Sequence, residues 1–298
     1  MDPVIVRLIG GLGNQMFQYA TARAVSLRCG APLVLDVSGF DGFKGTTRRY
    51  ELDDFPIQAA LAKDSDLAHF GLKASPYLKW LYRLKSTLHL GRRHRSWPIH
   101  REPHFHFDAK VAALHAPIYL DGYWQSEKYF LPYADILRRE FSPALPLERE
   151  NDAFAAAIDA VNAVSLHVRR GDYVTDTTTN RYHGLCSLDY YRRAVDYITA
   201  RVEAPHLVIF SDDRDWTRNH LRFELPTTFV DANPPDRGYR DMQLMARCRH
   251  HIVANSSFSW WGAWLNGSQE KIVIAPRRWF ASDANDTRDL IPETWVKL

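Results

Sequence analysis

Residues 4–36 read VIVRLIGGLGNQMFQYATARAVSLRCGAPLVLD, and this stretch decides the fold class. The apolar run 4–9 predicts a strand, and the glycines of 10–13 predict a turn. The alanine-rich stretch from about Gln15 to Arg28 predicts a helix that Gly30 ends, and 33–36 predicts a second strand. Strand, glycine turn, helix and strand in this order are typical of the start of a parallel α/β sheet.

The glycine turn does not match the G-x-G-x-x-G dinucleotide fingerprint, because Gly10, Gly11 and Gly13 have a different spacing. Two interpretations of these glycines stay open. They make a tight turn with close helix–strand packing, or they let a ligand approach the backbone.

The second half of the chain alternates regularly between strands and helices. Its predicted strands are 163–168, 207–210, 227–230, 251–254 and 271–275, and its predicted helices are 152–161, 188–202, 213–223, 240–249 and 258–265. This alternation predicts a doubly wound sheet. The proline-punctuated connection 141–146 predicts a boundary between an N-terminal domain, 1–145, and a C-terminal domain, 146–298. We therefore expect an α/β fold with two Rossmann-like domains facing across a cleft.

The composition limits the class of protein. The 298 residues carry a formal net charge of only +3, which does not predict nucleic-acid binding. Cys29, Cys186 and Cys248 are too few and too widely spaced for a disulfide framework or a zinc site. We see no secretory leader and no apolar run of about 18 residues that would span a bilayer. A cytoplasmic protein is the simplest expectation.

Residues 77–95 combine apolar positions at helical spacing with basic side chains. Such a stretch is typical of a core-facing helix with a solvated basic side, which is the interpretation we favour. The alternative is a basic amphipathic helix that lies on an anionic membrane surface. It would make a peripheral membrane contact, at the inner face of a bacterial membrane.

The heptapeptide HVRRGDY at 167–173 follows a predicted buried strand. Ligands of α/β sheets bind at the carboxyl ends of strands, and guanidinium groups suit phosphate oxygens. The segment therefore indicates a phosphorylated substrate. The alternative is an Arg–Asp network that only holds a loop.

Two further strand ends carry polar clusters, SDD at 211–213 and NSSFS at 255–259. Ser256 or Ser257 can cap the next helix, and the N–H groups there can also hold a phosphate. The acidic stretch DDRD at 212–215 could suggest a metal-binding D-x-D. Asp213 and Asp215 also stand where a helix N-terminus favours acidic side chains, which is the interpretation we prefer. For Trp260, Trp261 and Trp264 we predict core packing.

Together the motifs resemble the bacterial α-1,2-fucosyltransferases of glycosyltransferase family 11. The matching segments are GGLGNQMFQYA at 10–20, GYWQSEKYF at 122–130, HVRRGDY at 167–173, HGLCSLDYY at 183–191, FSDD at 210–213 and ANSSFSWWGAWL at 254–265. They stand in the family's order, and residues 40–115 carry little of the match.

The resemblance implies a GT-B fold, a GDP-β-L-fucose donor and inversion at the fucose anomeric carbon. It also implies a galactose-terminated oligosaccharide acceptor, which for bacterial enzymes of this class is often lipid-linked. No metal or other cofactor is implied. The C-terminal half would bind the donor and the N-terminal half the acceptor.

The resemblance also implies roles for individual residues. Arg169 would meet the β-phosphate, Asn14 would reach across the cleft, and Asp241 would read the guanine edge, while Arg170 would brace the loop. The candidate catalytic residues are Arg169, Asp172 and Asn14. Two interpretations of Asp172 stay open, a general base for the acceptor hydroxyl or a structural partner of an arginine, and Asp176 and His183 are weaker candidates for the base. The implied donor-binding residues are Gly11, Leu12, Gly13, Asn14, His167, Arg169, Asp241, Ser256, Ser257 and Phe258.

Two other functions compete with this one. The first is a fucosyltransferase of another linkage or acceptor. The second is a non-catalytic nucleotide-sugar or glycan-binding protein, against which the presence of Arg169, Asp172 and Asn14 argues. Product linkage analysis after incubation with GDP-fucose and galactosides separates the three.

Overall fold

The structure, a computed structural model, describes residues 1–40, 48–72, 97–142, 149–171 and 184–298. In this part of the chain the strands are β1 (Val4–Arg7), β2 (Leu33–Asp36), β3 (Ala60–Leu61), β4 (Ile99–Arg101), β5 (Ile118–Asp121), β6 (Asn162–Val168), β7 (Pro205–Ser211), β8 (Thr227–Phe229), β9 (His250–Ile252), β10 (Val273–Ala275) and β11 (Val296–Lys297). The α-helices are α1 (Leu12–Cys29), α2 (Asp64–Ala68), α3 (Ala134–Glu140), α4 (Arg149–Asp159), α5 (Leu188–Thr199), α6 (Arg214–His220), α7 (Gly238–Arg247) and α8 (Ser257–Leu265).

The strands form two parallel sheets. The first has the order β3-β2-β1-β5-β4, and the second has the order β11-β10-β9-β6-β7-β8. Strand β6 lies inside the second sheet, paired with β7 and β9, and six of its seven residues are buried. The predicted α/β class with two Rossmann-like sheets is confirmed, and this is the GT-B arrangement that the resemblance implied.

Helix α1 begins earlier than the sequence predicts. It starts at Leu12 rather than near Gln15, with Gly11 in extended backbone as its N-cap. The difference arises because Gly13 and Asn14 continue the helix instead of the turn. Asn14 consequently lies in the first turn. At the other end Gly30 adopts the left-handed conformation with φ of 62°, so the predicted end of the helix is confirmed.

The region 40–115 contains short elements that its mixed pattern did not predict. They are β3, α2, β4 and a 3₁₀ helix over Ala109–Ala113. The short β3 and β4 form the two edges of the first sheet, so the pairing of each with one inner strand supports it more than its own sequence does. The basic stripe 77–95 and the predicted boundary 145/146 lie outside the described residues.

One hydrophobic core joins the two halves. Phe17 of α1 packs its ring 4.5 Å from Trp260 and 4.9 Å from Trp261, both on α8. The three tryptophans of α8 are at most 2% exposed, which confirms that they are core residues. Phe280, Leu290 and Trp295 from the C-terminal segment join the same cluster. The two sheets are therefore held together by packing as well as by the chain connection.

Candidate functional site

The site is built where the N-terminal ends of helices α1 and α8 come into contact. A Cβ on Gly13 would lie 2.5 Å from the backbone carbon of Ser257 and 2.7 Å from the backbone nitrogen of Phe258, so only glycine permits this approach. The indole nitrogen of Trp261 donates to the carbonyl oxygen of Gly13 at 2.9 Å. Both helices follow strands of parallel sheets, so the contact brings the carboxyl edges of the two sheets together. Two positive helix ends lie side by side there.

The N-terminus of α1 carries charged neighbours that the sequence did not single out. The Glu51 carboxylate accepts a hydrogen bond from the backbone N–H of Leu12, and burial raises the pKa of Glu51. The Arg48 guanidinium lies 3.0 Å from the place that a Cβ on Gly11 would take. The helix end is thus bounded by a carboxylate and a guanidinium, both from residues 48–51.

Gln15 attaches this segment to α1. Its side-chain nitrogen donates to the carbonyl oxygens of Gly10 and Arg49, at 3.0 and 2.7 Å, and its side-chain oxygen accepts from the backbone N–H of Glu51 at 2.9 Å. Gln15 is fully buried, so these bonds satisfy its amide inside the protein. No pattern in the sequence pairs residues 48–51 with the glycine turn.

The predicted residue Asn14 is held by a partner from a distant motif. The side-chain nitrogen of Gln125 donates to Asn14 Oδ1 at 2.8 Å. Gln125 belongs to the GYWQSEKYF motif and is buried. With Oδ1 occupied in this way, the amide nitrogen of Asn14 is the group left to act as a donor toward a ligand.

The start of α8 contains Ser256, Ser257 and Phe258. Ser256 is the N-cap, and its hydroxyl accepts from the backbone N–H of Phe258 at 3.3 Å, so the capping role is observed. The Phe258 ring lies 5.6 Å from the ring of His167 and within 3.4 Å of a Cβ placed on Gly238. Phe258 therefore brings the end of β6 and the start of α7 into one place.

His167 is a buried, neutral side chain at this place. It is 5% exposed, and burial together with the Arg169 charge lowers its pKa to about 3. Within the described residues nothing bonds to its Nδ1. A buried ring nitrogen without a partner costs free energy, which a ligand atom could recover.

The two arginines after β6 have different partners. Arg169 Nη1 lies 3.0 Å from Asp212 Oδ2, with 22% of the Arg169 side chain exposed. Arg170 Nε lies 3.2 Å from Asp213 Oδ2, and its guanidinium stacks on Trp216 at 3.7 Å from the ring centroid. The pairing of Arg170 with an acid is confirmed. The Arg169 guanidinium has five N–H donors in all.

Asp212 and Asp213 have structural partners. Asp212 Oδ1 also accepts the backbone N–H of Arg170 at 2.8 Å. Asp213 is the N-cap of α6, accepting from the backbone N–H of Trp216 at 3.2 Å. The predicted place of Asp213 at a helix N-terminus is therefore confirmed. In the ranges that the structure describes, no three acidic, histidine or cysteine side chains form a group that could hold a metal.

Asp241 lies in the first turn of α7, half-buried. Burial raises its pKa to about 6, although a hydrogen bond from Asn233 at 2.6 Å and the charge of Arg214 both oppose that rise. The shared contact of α7 and β6 with Phe258 places its helix beside His167. A carboxylate here can accept two N–H donors of a base.

The carboxyl edge of the first sheet presents fixed oxygen and amide groups. Glu102 accepts from the backbone N–H groups of Tyr123 and Trp124, at 2.7 and 2.9 Å. Trp124 takes a φ of 57°, which is costly for a bulky residue and is often found at functional sites. Asp121 lies 3.2 Å from Arg7 and 3.5 Å from Arg101. None of these residues was singled out individually from the sequence.

A Ser–His–Asn arrangement elsewhere does not make a nucleophile. The Asn266 amide nitrogen is identified because its Oδ1 accepts the N–H of Ser268 at 2.8 Å. This nitrogen faces His251 Nε2 at 3.0 Å, so Nδ1 carries the proton and donates to Ser165 Oγ at 2.8 Å. The histidine therefore cannot take the serine proton, and both side chains are buried. This excludes that serine as a hydrolase nucleophile.

None of the helices in the described ranges has the length and apolar character required to cross a bilayer.

Asp172, Asp176 and His183 lie outside the described residues. The remaining predicted site residues are described. Contacts join residues 11–14 at the start of α1, residues 256–258 at the start of α8 and His167 into one site. Arg169 follows His167 on the chain, and Asp241 is one turn beyond the Phe258 contact on α7.

Known proteins resemble this chain, two of them along almost its whole length. An α-1,2-colitosyltransferase of Escherichia coli is 31% identical over 302 residues, covering 100% of this chain and 99% of the relative. The O-antigen biosynthesis glycosyltransferase WbnK of Escherichia coli is 32% identical, covering 98% and 99%. Human galactoside α-(1,2)-fucosyltransferase 1 is 28% identical over 157 residues, covering 50% and 43%.

Among solved structures, the fucosyltransferase NodZ from Bradyrhizobium matches with a TM-score of 0.46 and 15% identity, covering 88% of this chain and 93% of that one. POFUT1 in complex with GDP matches with a TM-score of 0.47 and 12% identity, covering 92% and 97%. The family model of glycosyl transferase family 11 matches residues 98–298. With that match and two full-length relatives above 30% identity, the chain belongs to glycosyl transferase family 11.

Proposed function

We propose that this glycosyltransferase moves L-fucose from GDP-β-L-fucose to the 2-hydroxyl of a terminal β-galactoside in a surface glycan, with inversion. The observation that carries the proposal is the contact of Gly13 with Ser257, which sets two helix N-termini beside the strand end of His167 and Arg169. Such a place suits a diphosphate. The human relative, which is named as a galactoside α-(1,2)-fucosyltransferase, supports this acceptor and linkage.

The leaving GDP gains negative charge while the fucose ring becomes oxocarbenium-like. A guanidinium held against the β-phosphate stabilises that charge more in the transition state than in the ground state. Arg169 takes this role in our proposal. Its ion pair with Asp212 supports it, because the pair orients the guanidinium before the donor binds.

Two further residues hold the donor. Asn14 donates its amide N–H to the phosphate or sugar, in the orientation that Gln125 supports. Asp241 accepts the N1–H and N2–H of guanine, because an ionised carboxylate is an acceptor only. GDP should accordingly bind far better than UDP or ADP, and calorimetry with equal affinity for all three would reject the guanine assignment.

The acceptor lies on the first sheet in this proposal, where Glu102 and Asp121 present carboxylates. The galactose 2-hydroxyl must lose a proton to a base. Asp172 remains our candidate, three positions after Arg169 in the sequence, with Asp176 and His183 as alternatives.

The name of one relative supports a second candidate donor. The full-length relative from Escherichia coli is named as an α-1,2-colitosyltransferase, and colitose is L-fucose without its 3-hydroxyl. The same diphosphate and guanine contacts would serve GDP-colitose, so the sugar side of the cleft decides between the donors.

One experiment tests the proposal. The purified protein is incubated with GDP-fucose or GDP-colitose and a panel of β-galactosides, some lipid-linked, and the product linkage is determined by NMR. An α-1,2-fucosyl product supports the first donor, and a product from GDP-colitose alone supports the second. Another linkage or acceptor corrects the specificity, and GDP binding without any product supports a non-catalytic protein. Action on a lipid-linked glycan would agree with a cytoplasmic enzyme at the inner membrane face.

A further inference from the structure

We infer that Asn233 is a positioning residue that orients the Asp241 carboxylate toward the guanine base of the donor. This inference rests on the proposed function, since it assigns the partner of Asp241. Asn233 follows β8 and is 4% exposed, and its side-chain nitrogen donates to Asp241 Oδ1 at 2.6 Å.

The orientation of the Asn233 amide follows from chemistry. An ionised carboxylate only accepts hydrogen bonds, so the atom of Asn233 that faces Asp241 is the nitrogen. The same nitrogen donates to Asn151 Oδ1 at 3.0 Å, and Asn151 donates back to Asn233 Oδ1 at 2.8 Å. Each N–H of Asn233 thus has one acceptor, and Asn151 is 2% exposed. The amide can turn over only by losing these bonds inside the protein.

The backbone of Asn233 is held as well. Arg214, the first residue of α6, donates from Nη2 to the carbonyl oxygen of Asn233 at 2.6 Å. Asn151 lies on α4 and Asp241 on α7. Asn233 is therefore bonded to three helices, which makes its place independent of the short strand that precedes it.

This network determines which part of Asp241 meets the base. Asn233 occupies one lone-pair direction of Oδ1 and sets the plane of the carboxylate. A donor hydrogen bond also favours the charged form of Asp241 against the burial that disfavours it. A charged carboxylate in a set plane is what two parallel N–H groups of guanine require. Loss of Asn233 should weaken base recognition without removing the residue that recognises the base.

The test compares GDP with IDP, whose hypoxanthine base lacks the 2-amino group. Dissociation constants are measured by calorimetry for the wild type, Asn233→Ala and Asn151→Ala, with melting temperatures alongside. We expect the wild type to prefer GDP, and Asn233→Ala to lose about 10-fold or more in GDP affinity, because a hydrogen bond to a charged group is lost. IDP affinity should fall less, so the preference shrinks.

Asn151→Ala is the matched control. It removes a buried asparagine of the same pair but leaves the Asn233–Asp241 bond, so it should lower the melting temperature while the GDP preference remains. In an Asp241→Ala background, Asn233→Ala should change GDP affinity little. Asn233→Ser, too short to reach Asp241, replaces Asn233→Ala if the latter does not fold.

The outcomes separate the inference from the proposed function. If the wild type binds GDP and IDP equally, the guanine role of Asp241 is wrong, and the inference falls with it. If the wild type prefers GDP and folded Asn233→Ala or Asn233→Ser keeps the same preference, only the role of Asn233 is wrong. A further support is an increase in the donor KM with kcat little changed, since base recognition precedes transfer.

Discussion

The carboxyl edges of the two sheets have the same parallel topology and different chemistry. At the second sheet, Arg169 and Arg170 each form an ion pair with an aspartate, beside a neutral histidine. At the first sheet, Asn14 is held by Gln125, and the carboxylate of Glu102 is held by backbone N–H groups. Guanidinium groups suit phosphate, whereas amides and carboxylates suit hydroxyl groups. The difference teaches that one parallel topology can carry two kinds of side-chain chemistry. In our proposal the second edge meets the donor phosphates and the first edge meets the acceptor, with Asn14 reaching across to the donor.

The largest effect is expected from substitution of Arg169 at the carboxyl edge of the second sheet. Arg169→Ala should lower the transfer rate by about 10²–10³, the usual loss when one charged donor leaves a water-poor site. Arg169→Lys should also nearly abolish transfer, because lysine cannot reproduce the guanidinium fork. Both variants should stay folded. Initial rates and melting curves provide the measurement.

Arg170→Ala is the matched control for this prediction. This variant loses the ion pair with Asp213 and the stacking on Trp216. Its free energy of unfolding should therefore fall by about 1–2 kcal/mol, and its transfer rate should fall as well. Near wild-type activity of Arg169→Ala would show that another residue meets the leaving phosphate.

The second prediction concerns the backbone contact that holds the two edges together. Gly13→Ala places a methyl group against the backbone of Ser257 and Phe258, which cannot yield as a side chain can. The free energy of unfolding should fall by about 1–3 kcal/mol, the usual cost of overpacking. Activity should fall as well, because α1 and α8 move apart. Gly267→Ala is the control, since its Cβ would meet only the Arg138 side chain at 3.8 Å. Equal denaturation midpoints for both variants would contradict the close approach.

The third prediction concerns pH at the second edge. The pKa of Asp241 is raised to about 6 by burial, so the free protein protonates this group below pH 6. Guanine N–H donors need the charged form, and GDP affinity should therefore be full above about pH 7 and fall about tenfold per unit below 6. Arg214 is the charged neighbour that opposes the rise, and His167, with its pKa lowered to about 3, stays neutral throughout.

The terminal phosphate of GDP also titrates near pH 6. The profile is therefore measured by calorimetry for the wild type and for Asp241→Asn, whose amide does not titrate. The difference between the two curves isolates Asp241. Superimposable curves would remove Asp241 from nucleotide recognition.

The smallest expected effect concerns metal. Asp212 and Asp213 are occupied by Arg169, Arg170 and the start of α6, so we expect transfer to continue unchanged in excess EDTA. Initial rates with EDTA and with added Mg²⁺ or Mn²⁺ provide the measurement. Loss of activity in EDTA that a metal restores would make these aspartates ligands instead.

The sequence predicted strands β6 to β10 of the second sheet and the helices between them well, because each has its own periodic pattern. It did not predict the two-residue edge strand β11. It was less successful for β3, α2 and β4. These short elements depend on pairing with neighbours, which local pattern does not record. It also placed the start of α1 three residues late, because glycine and asparagine weaken a helical pattern that tertiary packing supports.

By itself, the sequence determined the alternation of strands and helices, the polar clusters at three strand ends and the core role of the tryptophans, since each depends on residues close together in the chain. Only the tertiary structure decided that Gly13 contacts Ser257 and that residues 48–51 lie around the N-terminal end of α1. The same holds for the hydrogen-bond network of Asn151, Asn233 and Asp241. The physical reason is the same for all three. Close approach of backbones and the pairing of buried amides depend on distances between elements far apart in the sequence.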